Sequence, residues 1–243
     1  MKKPLTIEEA INYRRSVRIY NEEIPINSEV VKKCIEMATL APNSSNLQLW
    51  EFHHITTQAV IQQLLPACLN QKAVKTAQQL LVVVVRKDLW KKRANQNLNF
   101  IKKGFNKPLS EYSKAEKMVY DYYNKLIPFV YTDFLGIFGC VKYGLSWLKG
   151  LFSPTYRQLR KSDLRIVAHK SAGLAAQTFM VSMAAEGLDT CPLEGIDSLR
   201  IKKILNLPMA SEINMVISCG VRKPEGVYGE RFRVPFNEVY KKW

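Results

Sequence analysis

The stretch Leu80-Leu81-Val82-Val83-Val84-Val85 is the most informative part of the chain for the fold, because it contains six aliphatic residues without a polar interruption. The β-branched residues favour a strand, and the lack of polar alternation predicts that both faces of this strand are buried. A strand covered on both faces belongs to a sheet with helices packed against it. The sequence therefore predicts a domain in which helices flank a central sheet.

On either side of this strand, strand and helix patterns alternate irregularly. Two further strands are predicted over Trp50–Ile55 and Ile213–Cys219. Helix caps and apolar spacing predict helices from the Thr6 cap to Arg14, from Asn27 or Ser28 to Ala41, over Ala59–Leu65, near Tyr112–Leu126, from Ala168 to the Gly187 C-cap, and over Ser198–Leu205. No internal repeat or Ser/Gly linker divides the chain. We predict a single α+β domain over residues 1–243, with an insertion at residues 86–165.

The chain is basic, and its positive charge is concentrated in the insertion. The whole sequence has 36 Lys and Arg against 21 Asp and Glu, a net charge of +15. Residues 86–165 hold 17 basic against 6 acidic residues, or +11, whereas the parts before and after carry +2 each. Such a concentration keeps nucleic acid and anionic lipid open as partners. The alternative that we favour is a solvated surface that aids solubility.

The second half of the insertion, residues 126–152, is rich in aromatic and aliphatic residues. Asp133, Lys142 and Lys149 interrupt it, so we expect no membrane-spanning helix. A lid, a partner-binding surface and a weak contact with a membrane surface are possible roles. Packing against the rest of the domain is the simpler interpretation and the one that we favour.

Cysteine usage and the N-terminus bear on the compartment. The five cysteines are an odd number, are widely spaced, and form neither a Cys-x-x-Cys pair nor a His-containing ligand pattern. This argues against a disulfide framework and against a metal site. The N-terminal residues lack the apolar run of a secretory signal, so the expected location is the cytoplasm.

Three polar clusters suggest a site for an anion attached to a planar group. The first is Arg14-Arg15-Ser16-Val17-Arg18, and the third is Arg231-Phe232-Arg233; guanidinium groups in such stretches can bind a phosphate with bidentate geometry. The second is the loop Pro42-Asn43-Ser44-Ser45-Asn46, which is rich in short hydrogen-bonding side chains. Each cluster alone is a weak signal, and their combination and order are stronger.

With these clusters, the sequence resembles the flavin-dependent nitroreductases. The motifs are Arg-Arg-Ser-x-Arg at residues 14–18, Ala-Pro-x-Ser-x-Asn-x-Gln-x-Trp at 41–50, Pro-x-Glu-Gly at 192–195, and Arg-x-Arg-x-Pro-x-x-Glu-Val at 231–239. The resemblance covers residues 5–85 and 166–240. It implies a homodimer with a mixed central β-sheet wrapped by helices and FMN at the dimer interface. No glycine-rich dinucleotide or Walker loop suggests another cofactor.

The resemblance implies roles for residues at the phosphate end of FMN. Arg14 and Ser16, with Arg15 in the same cluster, would bind the ribityl phosphate together with Arg231 and Arg233. Arg18 would approach N1 and O2 of the ring, where a fixed cation stabilises the negative charge of the reduced flavin. Family members often have Lys at this position.

The remaining implied contacts surround the flavin ring. Pro42, Asn43 and Ser44 would reach the flavin of the partner subunit, and Asn46 would either join them or, like Ser45, bond to the loop itself. An amide side chain, from Asn70 or Gln71, would face the pyrimidine edge, with an ordinary helix-end residue as the alternative. The backbone N–H groups of Glu194 and Gly195 would face N5 and O4. Leu49 stands where the family usually has proline.

The implied activity is oxidation of NADH or NADPH through the flavin, with hydride transfer at N5 and a nitroaromatic, quinone or similar small molecule as acceptor. It requires no side-chain nucleophile and no metal. We interpret His53, His54 and His169 as structural, and Cys191 as a small buried residue. The aromatic stretch Phe129–Phe152 is expected to line or roof the acceptor pocket.

Two alternatives remain at this point. A related flavin enzyme could act as a dehalogenase or dehydrogenase on a specific metabolite, and no sequence feature separates these activities. A protein of another class could bind lipid or nucleic acid through residues 86–165 and keep only a vestigial flavin site.

Overall fold

The structure, a computed structural model, describes residues 4–133 and 137–243. Its strands are β1 (Trp50–Ile55), β2 (Gln79–Val85), β3 (Asp189–Leu193) and β4 (Glu212–Gly220). Its α-helices are α1 (Ile7–Tyr13), α2 (Ser28–Ala38), α3 (Gln58–Ala67), α4 (Lys72–Lys75), α5 (Trp90–Phe105), α6 (Lys114–Asp121), α7 (Ile127–Tyr131), α8 (Ile137–Lys149), α9 (Lys161–Ala185), α10 (Ser198–Ile204) and α11 (Phe236–Val239). A π-helical turn, Tyr122–Leu126, joins α6 to α7.

The four strands form one sheet in the order β1-β2-β4-β3. All three strand pairs are antiparallel, and parallel pairing within the described residues is limited to an isolated bridge between Ser16 and Thr190. Strand β2 lies between β1 and β4, and every one of its residues is buried. The predicted α+β fold, with a central sheet flanked by helices, is confirmed, but the four described strands pair antiparallel rather than in the mixed sheet that the resemblance implies.

The side chains of β2 alternate between two hydrophobic cores, one on each face of the sheet. Leu81, Val83 and Val85 belong to the first core, with residues of α2 and α9. The intervening residues Leu80, Val82 and Val84 belong to the second core, with residues of α3, α4 and α10. The period of two thus gives an uninterrupted aliphatic run to two layers of helices.

The predicted insertion is partly built into the first core. Trp90 of α5 stacks on Tyr131 of α7, with ring centroids 5.8 Å apart, and Ala94 and Ile127 are buried in the same cluster. Part of residues 86–165 therefore belongs to the hydrophobic core of the domain. In the described part of the chain, no helix has the length and apolar character needed to span a bilayer.

Several element boundaries differ from the sequence prediction. Helix α5 was not predicted, because its exposed residues are mostly Lys, Asn and Gln and hide a narrow apolar stripe. Helix α9 begins at Lys161, seven residues before the small-residue pattern, where Asp163 accepts a hydrogen bond from the Arg160 backbone. Strand β3 was also missed. It is short and contains Pro192, and it lies at the edge of the sheet.

A close contact near the end of β4 joins the segment after α1 to the sheet. The Tyr20 side chain is fully buried, and its hydroxyl donates to the Ser218 carbonyl at 3.0 Å. A Cβ atom on Gly220 would lie 2.6 Å from Cδ1 of that ring, which is closer than side chains pack. Only glycine at position 220 allows the tyrosine to lie against the sheet.

We therefore expect Gly220→Ala to destabilise the fold by about 1–3 kcal/mol, because the buried tyrosine ring cannot move aside. Gly104→Ala in α5 is the matched control, since a Cβ atom there meets nothing within 4 Å. It should leave stability unchanged or raise it by up to about 1 kcal/mol. Urea unfolding followed by circular dichroism measures both, and equal stability of the two variants would contradict the packing argument.

Candidate functional site

The segment that follows α1 runs as extended chain beside β3. The backbone N–H of Val17 donates to the Thr190 carbonyl at 3.1 Å, and that of Arg18 donates to the Gly226 carbonyl at 2.7 Å. Val17 is fully buried in the second core. Because side chains alternate along extended chain, Ser16 and Arg18 point away from that core.

The C-terminal tail crosses this segment and is tied to it by arginines. The Arg231 guanidinium donates to the carbonyl oxygens of Asn12 and Arg14 at 2.8 and 2.6 Å, and Arg15 donates to the Gly229 carbonyl at 2.9 Å. Gly226 allows the crossing, since a Cβ atom there would overlap the Ile19 carbonyl oxygen. Two clusters that are more than 200 residues apart in sequence thus meet.

Together they form a cavity of about 260 Å³, here called the arginine groove. Its lining residues are Arg14, Arg15, Ser16, Arg18, Val227, Tyr228, Glu230, Arg231, Phe232 and Arg233. Of the five arginines, none forms an ion pair within residues 4–133 and 137–243, and the lining contains one carboxylate. Burial and the charges of Arg231 and Arg233 lower the pKa of Arg14. A groove with this uncompensated positive charge suits a phosphate or similar anion.

A second cavity, of about 360 Å³, adjoins the arginine groove and is here called the Gln71 groove. Its lining residues are Arg18, Gln71, Lys72, Ala73 and Tyr228, so Arg18 and Tyr228 border both cavities. The Gln71 side-chain amide donates to the Gly195 carbonyl at 3.0 Å. This bond joins the start of α4 to the turn after β3, beside the cavity that shares Arg18 and Tyr228 with the arginine groove.

Asn70 and Gln71, the two candidates for the amide that faces the flavin ring, lie in different surroundings. Asn70 is exposed and has a φ of 52°, in the left-handed turn that ends α3, where its backbone N–H donates to the Leu65 carbonyl. Gln71 is the residue whose side chain borders the groove. Asn70 therefore has a local structural role, because asparagine tolerates left-handed backbone better than most residues.

Glu194 and Gly195 leave β3 on the exposed side of the same turn. A Cβ atom on Gly195 would approach Gln71 Nε2 and Leu69 Cδ1 no closer than 4.0 Å, so the protein itself leaves space there.

Cys191, in β3, is fully buried, and this burial raises the pKa of its thiol. That position therefore holds a small packed side chain, as the sequence predicted.

The loop of residues 42–48 lies apart from both grooves and contributes no lining residue to them. Asn43 closes the loop, since its Oδ1 accepts the Gln48 backbone N–H at 2.8 Å. Ser44 is held through its backbone N–H, which donates to Ser171 Oγ of α9 at 3.3 Å. Pro42 and Ser44 are exposed. The site residues predicted from sequence thus form two separate groups in one chain.

The insertion supports this loop. The Asn46 amide donates to Asn97 Oδ1, and the Asn97 amide donates to the Asn46 carbonyl, both at 2.9 Å. The Tyr122 hydroxyl lies 2.7 Å from Ser45 Oγ, and the Tyr123 hydroxyl donates to the Ser45 carbonyl at 3.1 Å. These bonds hold Ser45 and Asn46 at φ values of 55° and 49°. The side-chain amide and the carbonyl of Asn46 are thus both engaged in hydrogen bonds to Asn97 of the same chain.

None of the described residues of the insertion, 86–133 and 137–165, lines either groove of its own chain. That Phe129–Phe152 lines or roofs the acceptor pocket stays a prediction, and residues 134–136 of that stretch lie outside the described residues. The histidines contact neighbouring side chains, as His54 does with Gln79 at 2.7 Å and His169 with Asn214 at 3.1 Å.

Six groove residues were missed from the sequence: Lys72, Ala73, Val227, Tyr228, Glu230 and Phe232. A signal for Tyr228 exists, because an aromatic residue between Gly226 and Gly229 in a basic tail is unusual for a simple turn. No comparable signal distinguishes Lys72 from the other lysines.

Comparisons with known proteins agree with this geometry. The family model described as the nitroreductase family matches residues 11–221. The chain is 29% identical, over 94% of each chain, to the provisionally named NAD(P)H nitroreductase MhqN of Bacillus subtilis (strain 168).

Solved structures agree as well. The crystal structure of YdfN, a provisionally named nitroreductase of Bacillus subtilis, superposes with a TM-score of 0.72 at 25% identity and covers 97% of this chain and 98% of its own. A provisionally named nitroreductase of Exiguobacterium sibiricum 255-15, in complex with FMN, superposes with a TM-score of 0.68 at 22% identity over 100% of this chain and 99% of its own, and so shares the fold. Because the family model spans most of the sequence, the chain belongs to the nitroreductase family.

Proposed function

We propose that this protein is an FMN-dependent NAD(P)H oxidoreductase that reduces a small acceptor of the nitroaromatic or quinone type. The observation that carries the proposal is the arginine groove, with five guanidinium groups that lack ion-pair partners in the described residues. It shares Arg18 and Tyr228 with a second cavity that Gln71 borders. Family membership and the nitroreductase name of MhqN support the activity, and the FMN in the Exiguobacterium structure supports the cofactor.

The residues present fit FMN at both ends. The phosphate would bind Arg14, Ser16 and Arg233, whose side chains border a cavity with excess positive charge. Arg231 would contribute positive charge to this site and also has a structural role, because two of its hydrogen bonds hold the tail against the backbone of Asn12 and Arg14. The arginine groove would thus act as a preformed anion site that the protein's own carboxylates do not neutralise.

The flavin ring would lie along the Gln71 groove. Arg18 borders both cavities, so its fixed positive charge would act near the ring end of the ribityl chain and favour negative charge there. Gln71 would offer an amide beside the ring, and the open space at Gly195 would allow the ring to approach the backbone of the turn. When bound, FMN supplies hydride acceptance and donation, and the protein's residues supply binding, orientation and charge.

A homodimer would complete this site. The tail is exposed throughout residues 228–243, and its large apolar side chains include Phe232, Phe236 and Trp243 at 78%, 72% and 109% exposure. Exposed aromatic residues on a tail of this length are typical of a segment that covers a partner. A second copy would both bury this tail and bring its own Pro42 and Ser44 to the groove, which explains why the loop is distant from the grooves of its own chain.

The central experiment follows the colour of the purified protein. We expect a bound flavin spectrum that bleaches under anaerobic conditions on addition of NADH or NADPH and returns when a nitroaromatic or quinone is added. Light scattering should give the mass of two chains. A protein that neither retains nor rebinds FMN would refute the proposal, whereas a flavin that is reduced but not reoxidised by these acceptors would favour the metabolite-specific dehalogenase or dehydrogenase.

Removing one guanidinium group from the arginine groove should weaken FMN binding. Because hydrogen bonds to charged groups contribute about 1.5–3 kcal/mol, Arg14→Gln should raise the Kd for FMN roughly ten- to a hundredfold. Arg200→Gln is the matched control, since Arg200 is an exposed arginine paired with Asp197 on α10. Flavin fluorescence titration measures both, and equal affinities for the two variants would contradict the phosphate assignment.

The two neighbouring amides should differ in their effect on the flavin. Gln71→Ala should raise the Kd for FMN by about two- to tenfold, as expected for loss of a neutral hydrogen bond, and shift the bound flavin absorption. Asn70→Gly preserves the left-handed backbone and should change neither property. If Asn70→Gly had the larger effect on the flavin spectrum, Asn70 would be the ring contact instead.

A further inference from the structure

Helix α8 has its polar and apolar faces reversed relative to an ordinary surface helix. Its buried positions include Gly139, Lys142 and Ser146, which recur at intervals of three and four residues and so share one face. Its large apolar residues Val141 and Leu145 are 55% and 61% exposed. A helix of a water-soluble domain normally buries its apolar stripe, so an outward apolar face requires an explanation.

Specific polar contacts explain why the small and polar face lies inward. The Lys142 ammonium donates to the carbonyl oxygens of Phe129, Val130 and Thr132 at 2.8, 3.1 and 2.7 Å. It thereby supplies hydrogen-bond donors to carbonyl groups at the C-terminal end of α7. The Ser146 hydroxyl donates to the Tyr156 carbonyl at 2.5 Å. A Cβ atom on Gly139 would lie 3.3 Å from the backbone of Arg160, which requires a small residue there. The orientation of α8 is therefore determined by its contacts with the protein.

The outward face continues beyond the helix. Leu148 is 55% exposed, and Leu151 and Phe152 in the following turn are 59% and 89% exposed. On the α7 side, the same face borders an open groove of about 500 Å³ whose lining is mostly apolar and includes Pro128 and Phe129. The helix alone is about 20 Å long at 1.5 Å per residue, so the apolar surface extends over much of one side of the insertion.

The surroundings of this face are positively charged. Residues 137–162 contain five Lys and Arg and no Asp or Glu. Lys149 and Arg157 are exposed at the C-terminal end of the helix, where Arg157 donates to the Gly150 carbonyl, whereas Arg160 and Lys161 lie behind the helix against Gly139. The complete insertion adds to this field, with a net charge of +11 over residues 86–165. An apolar strip with a basic border is complementary to a surface that is apolar inside and negatively charged outside.

We propose that the outward face of α8, together with Leu151 and Phe152, docks this protein on the surface of an anionic lipid bilayer. Its apolar side chains enter the boundary between headgroups and acyl chains, while the surrounding lysines and arginines bind lipid phosphates. Trp147, half-exposed on the same helix, suits that boundary. A self-association of two such faces would bring basic borders together, and like-charge repulsion opposes it.

The test uses flotation of the full-length protein, saturated with FMN, with vesicles. Vesicles containing one third phosphatidylglycerol in phosphatidylcholine should carry most of the protein at 50 mM salt, and less of it at 500 mM salt because the electrostatic part is screened. Pure phosphatidylcholine vesicles should carry much less. The double variant Leu145→Ser/Leu148→Ser should reduce partitioning at least tenfold, because it removes apolar contact without adding charge.

Leu199→Ser is the matched control, since Leu199 is a 63% exposed leucine on α10, on the other side of the sheet. It should partition like the unmodified chain. Thermal melts check that each variant is folded, and Leu151→Ser/Phe152→Ser, outside the helix, gives a second test with the same expectation. The proposal is overturned if the unmodified protein stays with the soluble fraction, if the double variants partition equally well, or if they only alter the mass measured by light scattering. If the protein fails to bind FMN, it should still partition onto the anionic vesicles. The proposed function and this proposal can therefore fail separately.

Discussion

The burial of β2 on both faces is the constraint on which the rest of the molecule depends. Because each of its seven residues is excluded from solvent, the strand requires a neighbour on both edges and a helical layer on both faces. Alternation along Leu80–Val85 then supplies two separate cores. The segment after α1 is held to the outer edge of this sheet through Thr190, and through the packing of Tyr20 against Gly220. The position of the arginines follows from that attachment.

The candidate site combines charge with long-range chain geometry. Placing five guanidinium groups around one cavity is unfavourable without a ligand, since each disfavours the charge of the others. Burial, and after it the charges of Arg231 and Arg233, lower the pKa of Arg14. The cost is offset by packing and backbone hydrogen bonds, such as those from Arg231 to Asn12 and Arg14. A bound anion would relieve the remaining repulsion. Ligand affinity and local stability are therefore coupled in this part of the fold.

The insertion has three structural roles, and they lie on different sides. Through Trp90, Ile127 and Tyr131 it completes the first core, and through Asn97 and two tyrosines it supports the loop of residues 42–48. Its third side presents the apolar face of α8.

The sequence by itself determined the class of fold, most strand and helix positions, and the five arginines and the serine that line the arginine groove. These features depend on local patterns: uninterrupted aliphatic residues, cap residues, and motifs in a particular order. Tertiary structure alone decided that Gln71 borders the groove while Asn70 forms a turn, because adjacent side chains are separated only by backbone conformation. It also decided that the loop of residues 42–48 lies away from the grooves, and that α8 turns its apolar face outward, since both depend on contacts between residues distant in sequence.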